Sequence, residues 1–272
     1  MKKRVISGII FTLILVLVMF VQIPLVDTIL VFVLSVIGIF EYNRAFKNAG
    51  YKPVSWVSYA GCFVLFITGG LINDQNKIML LKIVVPAIII SLFVYMIVSN
   101  LQRTIIDIAI TVFALLYIPF MFSFMKLILA MDNGRILIWY VFLGAFASDT
   151  FAFLIGSKFG KTKLCPNISP NKTVEGSLGG IIGVVIAYVI LNFISSKYFG
   201  IEINYAIVVI AGIIAGIAGQ FGDLSASAIK RFCKIKDFGN LIPGHGGILD
   251  RFDSVLFVAP IIYLFLKVYI FI

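Results

Sequence analysis

The sequence predicts an all-α, polytopic integral membrane protein with about nine transmembrane helices and a cytoplasmic amino terminus. Three observations carry this expectation. Hydrophobic residues fill 61% of the 272 positions and charged residues only 12%, about half the charged share of a soluble domain. The apolar residues fall into nine runs, roughly 5–23, 25–46, 54–73, 78–98, 105–131, 136–156, 174–195, 203–225 and 252–271. Each is about long enough to cross ~30 Å of hydrocarbon as a helix. Finally, Lys and Arg crowd into alternate gaps between the runs.

The first run follows Met1-Lys2-Lys3-Arg4, which imitates a signal peptide. No small-x-small cleavage site follows the run and further spans come after it, so it reads as a first span. Pro24 breaks it from the second, which predicts a tight hairpin. The fifth run is long and contains Pro119, which predicts a kink. With the amino terminus inside, the inner segments hold sixteen of the 22 Lys and Arg residues, among them Arg44, Lys47, Lys52, Arg103, Lys158, Lys161, Lys163 and Lys172. The outer loops hold Lys77, Arg135 and Lys197. The positive-inside rule then places the carboxy terminus outside and requires an odd number of spans. The net charge of +10 belongs to these inner loops and does not point to nucleic acid. Cys62, Cys165 and Cys233 show neither paired spacing nor a metal-ligand pattern, and read as reduced thiols.

The two halves differ. Residues 1–135 carry few charges of the buried type and read as transmembrane scaffold. Residues 136–272 carry Asp149, Glu175, Asp223, Asp237, Asp250 and Asp253 at the inner ends of late spans or in inner loops, and read as the catalytic region with a metal and phosphate site at the cytoplasmic edge. No internal repeat is evident, which weakens an inverted-repeat transporter.

Gly176, Gly179, Gly180 and Gly183 lie at helical spacing, as do Gly212 and Gly216. No strand–Gly loop–helix unit surrounds them, so small residues at close helix crossings explain them better than a nucleotide cradle. In the inner loop 156–176, Pro170 breaks helix, Thr173 lies near the next helix start, and Lys172 can meet a phosphate as a point charge. Glu175 could bind a metal or simply favour the positive end of that helix. The sixth span is interrupted by Ser148-Asp149, and an aspartate there needs a cation, a partner or water.

The densest feature runs from Asp223 to Asp253, with nine formal charges and the single histidine. Asp223, Ser227 and Lys230 share a helix face at i, i+4 and i+7, with Arg231 at its border. Pro243-Gly244-His245-Gly246-Gly247 cannot be helix interior, and its glycines permit close backbone approach to an anion. Asp250 and Asp253 follow at i, i+3. Carboxylates in this number suit a hard cation such as Mg²⁺; one histidine without Cys–His spacing argues against zinc. A solvated loop between helices is the plain alternative, and it leaves the clustering unexplained.

Ungapped from Ser227 to Asp253, this stretch resembles the signature of the phosphatidate cytidylyltransferases, or CDP-diacylglycerol synthases, through Ser227-Ala228-Ile229-Lys230-Arg231, Lys236-Asp237, Gly239 and Ile242-Pro243-Gly244-His245-Gly246-Gly247-Ile248-Leu249-Asp250-Arg251-Phe252-Asp253. Ser148-Asp149 and Ser169-Pro170-Asn171-Lys172-Thr173-Val174-Glu175-Gly176 resemble further motifs of that family, with Asn171 where lysine is frequent. The resemblance is specific over 148–253 and general over 1–135. It implies a multi-pass enzyme of the bacterial inner membrane, its active site facing the cytoplasm, which joins CTP to phosphatidic acid and releases pyrophosphate and CDP-diacylglycerol. It also implies Mg²⁺, a second cation for which K⁺ is the candidate, and a homodimer in the lipid bilayer.

The residue chemistry agrees with such a reaction. Two anionic substrates must have their repulsion cancelled by metal ions and by Lys and Arg. The expected metal ligands are Asp149, Asp223, Asp250 and Asp253. Lys172, Lys230, Arg231 and Arg251 join them as the catalytic set. Substrate is expected to meet Ser148, Ser169, Lys172, Glu175, Ser227, Lys230, Arg231, Lys236, Asp237, His245, Gly246, Gly247 and Arg251. A CTP-dependent polyprenol kinase or an ether-lipid cytidylyltransferase would use similar parts. A cation-coupled transporter would set its carboxylates nearer mid-span.

Overall fold

Pro24 occupies the first helical position of α1 (Pro24–Asn48), where its missing N–H has no helical partner to lose. The structure, a computed structural model, describes residues 23–71, 74–241, 244 and 246–271; residues 5–22 of the predicted first span, and with them the predicted hairpin into α1, lie outside these. The helices that follow are α2 (Ser55–Leu71), α3 (Asp74–Val98), α4 (Ile105–Leu115), α5 (Met121–Leu129), α6 (Gly134–Phe159), α7 (Val174–Phe199), α8 (Tyr205–Phe232) and α9 (Leu249–Phe271). A two-stranded antiparallel sheet, β1 (Lys163–Cys165) and β2 (Ser169–Thr173), lies between α6 and α7. The chain divides into two compact units. One comprises residues up to Lys126 with Phe232–Arg251, the other Leu127–Arg231 with residues from Phe252 onward.

Among the described residues five helices are long and apolar enough to cross a membrane: Pro24–Asn48, Ile105–Leu129 taken as one, Gly134–Phe159, Val174–Phe199 and Tyr205–Phe232. Ser55–Phe66 and Ile83–Val98 are shorter apolar stretches. The protein is therefore a helical, multi-pass membrane protein. On α7, Leu178, Ile182, Ile186, Ile190 and Phe193 form an exposed apolar stripe at helical spacing, the surface that hydrocarbon solvates.

In the first unit, the predicted disturbance at Pro119 takes the form of a five-residue π-helical segment, Leu116–Phe120, between α4 and α5. Proline removes one ladder donor and its ring crowds the preceding turn, and the wider π turn accommodates both. Thr104 and Asp107 form a capping box at the start of α4. Asp107 also accepts the Lys52 N–H at 2.6 Å, and Arg103 donates to the Lys52 carbonyl at 2.6 Å. Polar groups of two neighbouring connections thus satisfy each other above the apolar cluster of Val54, Val57, Leu92 and Ile108.

In the second unit, α6 and α7 pack along one another through glycine, as the helical spacing predicts. A Cβ on Gly176 would lie 2.7 Å from the Ala152 carbonyl oxygen, and one on Gly180 would lie 2.9 Å from that of Ser148. Gly212 and Gly216 of α8 approach Val185 and Ile181 of α7 in the same way. Near the other end of α7 buried polar groups are paired. The Tyr188 hydroxyl donates to the Tyr140 carbonyl at 2.6 Å and the Asn192 amide to the Ile203 carbonyl at 2.9 Å.

One feature differs from the expectation: the connection 156–176 contains the hairpin, which adds a small sheet to an otherwise all-α fold. Past the apolar run that ends at 225, α8 continues to Phe232, so Asp223, Ser227 and Lys230 lie on one helix as their spacing predicts.

A candidate active site of clustered carboxylates and lysines

In the second unit, Gly222 of α8 meets the start of α9 at close range. A Cβ there would lie 2.5 Å from the Asp253 carbonyl oxygen and 3.0 Å from Ser254 Cα. This approach sets Asp223, the next residue of α8, beside Asp253. Asp253 is only 6% exposed, and it interacts electrostatically with Asp223, Asp149 and Lys230. One of its oxygens accepts the Ser254 N–H at 2.7 Å. Ser227, one turn beyond Asp223, directs its hydroxyl at the Asp223 carboxylate at 3.4 Å. Lys172 forms an ion pair with the other Asp223 oxygen. Asp149 projects from α6 at an exposed position, while its neighbour Ser148 is fully buried and points its hydroxyl at the Gly216 carbonyl at 3.5 Å.

The hairpin carries Lys172 to this cluster. Its register pairs Lys163 with Thr173 and Cys165 with Ser169, with an irregularity between. Two contacts tie it to α8: the Lys172–Asp223 ion pair and a hydrogen bond from Arg231 Nε to the Ile168 carbonyl at 3.2 Å. Thr173 caps α7, its hydroxyl accepting the Gly176 N–H at 3.1 Å. The Glu175 carboxylate accepts the N–H of Lys161 at 3.0 Å and of Thr162 at 3.1 Å, which fixes the entry to β1. Both donors belong to the backbone of the connection just before β1.

The Gly-rich stretch belongs to the first unit. Gly244 and Gly246 have φ of 79° and 84°, the left-handed backbone that glycine alone adopts without strain. Asp250 closes the loop on itself: one carboxylate oxygen accepts the Phe238 N–H at 2.8 Å and the Gly247 N–H at 2.9 Å. Asp250 is thus bound to backbone, a role that its expected place among the metal ligands did not include. Lys236, Asp237 and Arg251 are exposed. His245 lies outside the described residues.

A residue that the sequence reading assigned to scaffold also enters this unit. Glu41 of α1 is 2% exposed and accepts the N–H groups of Ile248 at 3.0 Å and Leu249 at 2.9 Å. Arg44, one turn along, donates to the Phe238 carbonyl at 2.7 Å. A glutamate inside an apolar run was the available signal.

Among the described residues no group of three or more His, Cys, Asp or Glu converges tightly enough to form a metal cage by itself. The donor set still fits a hard divalent ion of the Mg²⁺ type. Such an ion is held by one or two carboxylates and completes its shell with water and substrate phosphates. Asp223 and Asp253, with Asp149 nearby, offer oxygen donors of that kind, and the buried negative charge favours a cation. Lys172 and Lys230 supply positive charge to the same region. A cluster so composed can receive phosphate groups and offset the charge that develops on them.

Residues 2–269 match the family model described as the cytidylyltransferase family. The chain is 33% identical over 277 aligned positions to the phosphatidate cytidylyltransferase of Bacillus subtilis, covering 99% of this chain and 98% of that one. It is 38% identical over 172 positions to the phosphatidate cytidylyltransferase of Staphylococcus haemolyticus, covering 63% and 64% of the two chains. The similarity to the Thermotoga maritima phosphatidate cytidylyltransferase is 37% over 156 positions, or 57% of each chain.

Proposed function

The chain belongs to the cytidylyltransferase family, and from that premise we propose that it transfers the cytidylyl group of CTP to phosphatidate in phospholipid biosynthesis. A phosphatidate oxygen attacks the α-phosphorus of CTP, the bond to the β-phosphate oxygen breaks, and CDP-diacylglycerol and pyrophosphate result. The observation that carries this reading is the buried Asp253 beside Asp223 and Asp149, with Lys172 and Lys230 as counter-charges. A buried acidic group with cations at its border suits phosphate chemistry.

The residues divide the work by charge. Asp223 and Asp253, with Asp149, would hold Mg²⁺, which when bound supplies neutralisation of phosphate charge. Lys172 is carried on the hairpin, so it can exchange its Asp223 partner for a phosphate oxygen without a change of fold. Lys230 and Arg231 lie two residues and one residue from the end of α8 and would take further phosphate oxygens, with Arg251 as another candidate. Ser227 would orient Asp223. In the other unit, Gly246, with His245 adjoining it in sequence, would let backbone approach a nucleotide phosphate, while the Gly247 N–H is held by Asp250. Asp250 would keep that loop closed. No side chain needs to remove a proton, because a phosphate monoester with a second pKa around 6 is already ionised near neutral pH.

The bias of Lys and Arg supports nine spans, an inner amino terminus and catalytic residues at the cytoplasmic face of the bacterial inner membrane. Phosphatidate then reaches the site from the bilayer, and CTP from the cytoplasm. The test is an assay of purified protein with CTP, phosphatidate and Mg²⁺. Cytidine label should enter lipid while pyrophosphate is released, and a chelator should stop both. Label entering lipid only from the γ-phosphate would instead identify a kinase.

A further inference from the structure

α1 reads in the sequence as scaffold, yet two of its residues grip the Gly-rich loop. The Glu41 carboxylate accepts two backbone N–H groups, Ile248 at 3.0 Å and Leu249 at 2.9 Å, at the start of α9. Those N–H groups have no partner within their own helix, and the positive end of the helix favours a carboxylate there. Gly239 and Gly247 both lie so close to Glu41 that a Cβ on either would meet its carboxylate. Arg44 holds the opposite end of the loop through the Phe238 carbonyl at 2.7 Å, and its guanidinium rests 5.4 Å from the Phe40 ring centroid. Phe238 then donates its N–H to Asp250, the same carboxylate oxygen that takes Gly247 N–H.

We propose that Glu41 and Arg44 are positioning residues for the nucleotide-phosphate loop, acting on CTP through the backbone they hold. The role rests on the proposed cytidylyl transfer. Glu41 fixes the last residues of the loop and Arg44 the first, so that Gly246, Gly247 and Asp250 keep one geometry. An apolar scaffold contact would require neither a buried carboxylate nor an arginine hydrogen bond to a loop carbonyl. A glutamine at position 41 would fill the same space, but it can direct only one oxygen at two donors, and its NH₂ would face an N–H.

The experiment varies CTP and phosphatidate separately in initial-rate assays of full-length protein. Glu41→Gln is expected to raise the KM for CTP about tenfold, the equivalent of one weakened buried hydrogen bond, with the KM for phosphatidate unchanged. Arg44→Lys, which keeps the charge and loses the guanidinium, should move the same constant in the same direction. A fall in kcat with both KM values unchanged would mean a structural role only and would overturn the proposal. If Glu41→Gln does not fold, Arg44→Lys decides: an unchanged KM for CTP overturns the proposal and a raised one supports it. Wild-type protein that turns over neither substrate would overturn the cytidylyl transfer reading and this role with it. Active wild type with two unchanged variants would overturn the positioning role alone.

Discussion

Lys172 on β2 forms an ion pair with Asp223 on α8, so a short polar hairpin is tied to the acidic cluster by the one side chain best suited to leave it for a phosphate. Both partners are about one-quarter exposed, so water and a ligand can reach the pair. Lys172→Met keeps the length of the side chain and removes its charge. We expect kcat/KM to fall about a hundredfold, the scale seen when one donor to developing charge is lost, with little change in thermal stability because partly exposed pairs contribute little to it. Kinetics and melting of the same preparation check this; a rate within twofold of wild type would count against phosphate contact.

Asp253→Asn removes the buried charge of the three-carboxylate cluster and keeps its shape. Activity should fall by at least about a hundredfold. In the presence of chelator the variant should melt no lower than wild type, because like charges packed together oppose folding when no cation offsets them. Melting curves with and without Mg²⁺ read both effects. A variant that retains normal activity would contradict the metal assignment.

Gly222 and Gly200 make a paired test of why the site sits where it does. At Gly222 an added methyl meets backbone, the Asp253 carbonyl oxygen at 2.5 Å and Ser254 Cα at 3.0 Å, neither of which can rotate away. Gly222→Ala should cost about 1–3 kcal/mol and reduce activity, since α8 and α9 must separate beside Asp223 and Asp253. Gly200 ends α7 with φ of 67° and open space around it. Gly200→Ala should cost only about 1 kcal/mol and leave kcat unchanged. Denaturation and assay of both variants would reveal equal losses of activity if the close approach had no bearing on the site.

The cysteines report orientation and burial together. Cys165, on the hairpin, is partly exposed, whereas Cys233 is 3% exposed and its burial pushes the thiol up to about 11. A thiol with so high a pKa is protonated near pH 7–8 and reacts slowly. A membrane-impermeant maleimide should therefore label Cys165 in inside-out vesicles and not in right-side-out ones, with Cys233 labelled only after denaturation. Labelling of Cys165 from the outer face would reverse the topology.

Hydropathy made most helices legible, because each apolar run had to bury its own backbone hydrogen bonds in a helix. The run at 174–195 became α7 and the one at 136–156 became α6, both a few residues longer. The α8 extension was partly readable, since Asp223, Ser227 and Lys230 already held helical spacing. The hairpin was not. Lys163–Thr173 has no alternation of apolar and polar residues, and its strands are three and five residues long; α8 contacts stabilise it, and these lie far away in sequence. Asp223, Asp253 and Asp149 were legible as charges in apolar surroundings. The backbone role of Asp250 was not, because a carboxylate in sequence does not reveal whether it faces an ion or an N–H. Glu41 was the clearest omission: its partners are 207 and 208 residues away, and only the presence of a charge in an apolar run gave notice of it.

The most direct measurement uses purified protein in detergent or liposomes, CTP labelled in the cytidine, phosphatidate and Mg²⁺. The account predicts that the label enters lipid as CDP-diacylglycerol in equal amount to the pyrophosphate released, and that Asp223→Asn abolishes both. Absence of cytidine label from lipid in active membrane preparations, or its undiminished appearance with Asp223→Asn, would contradict it.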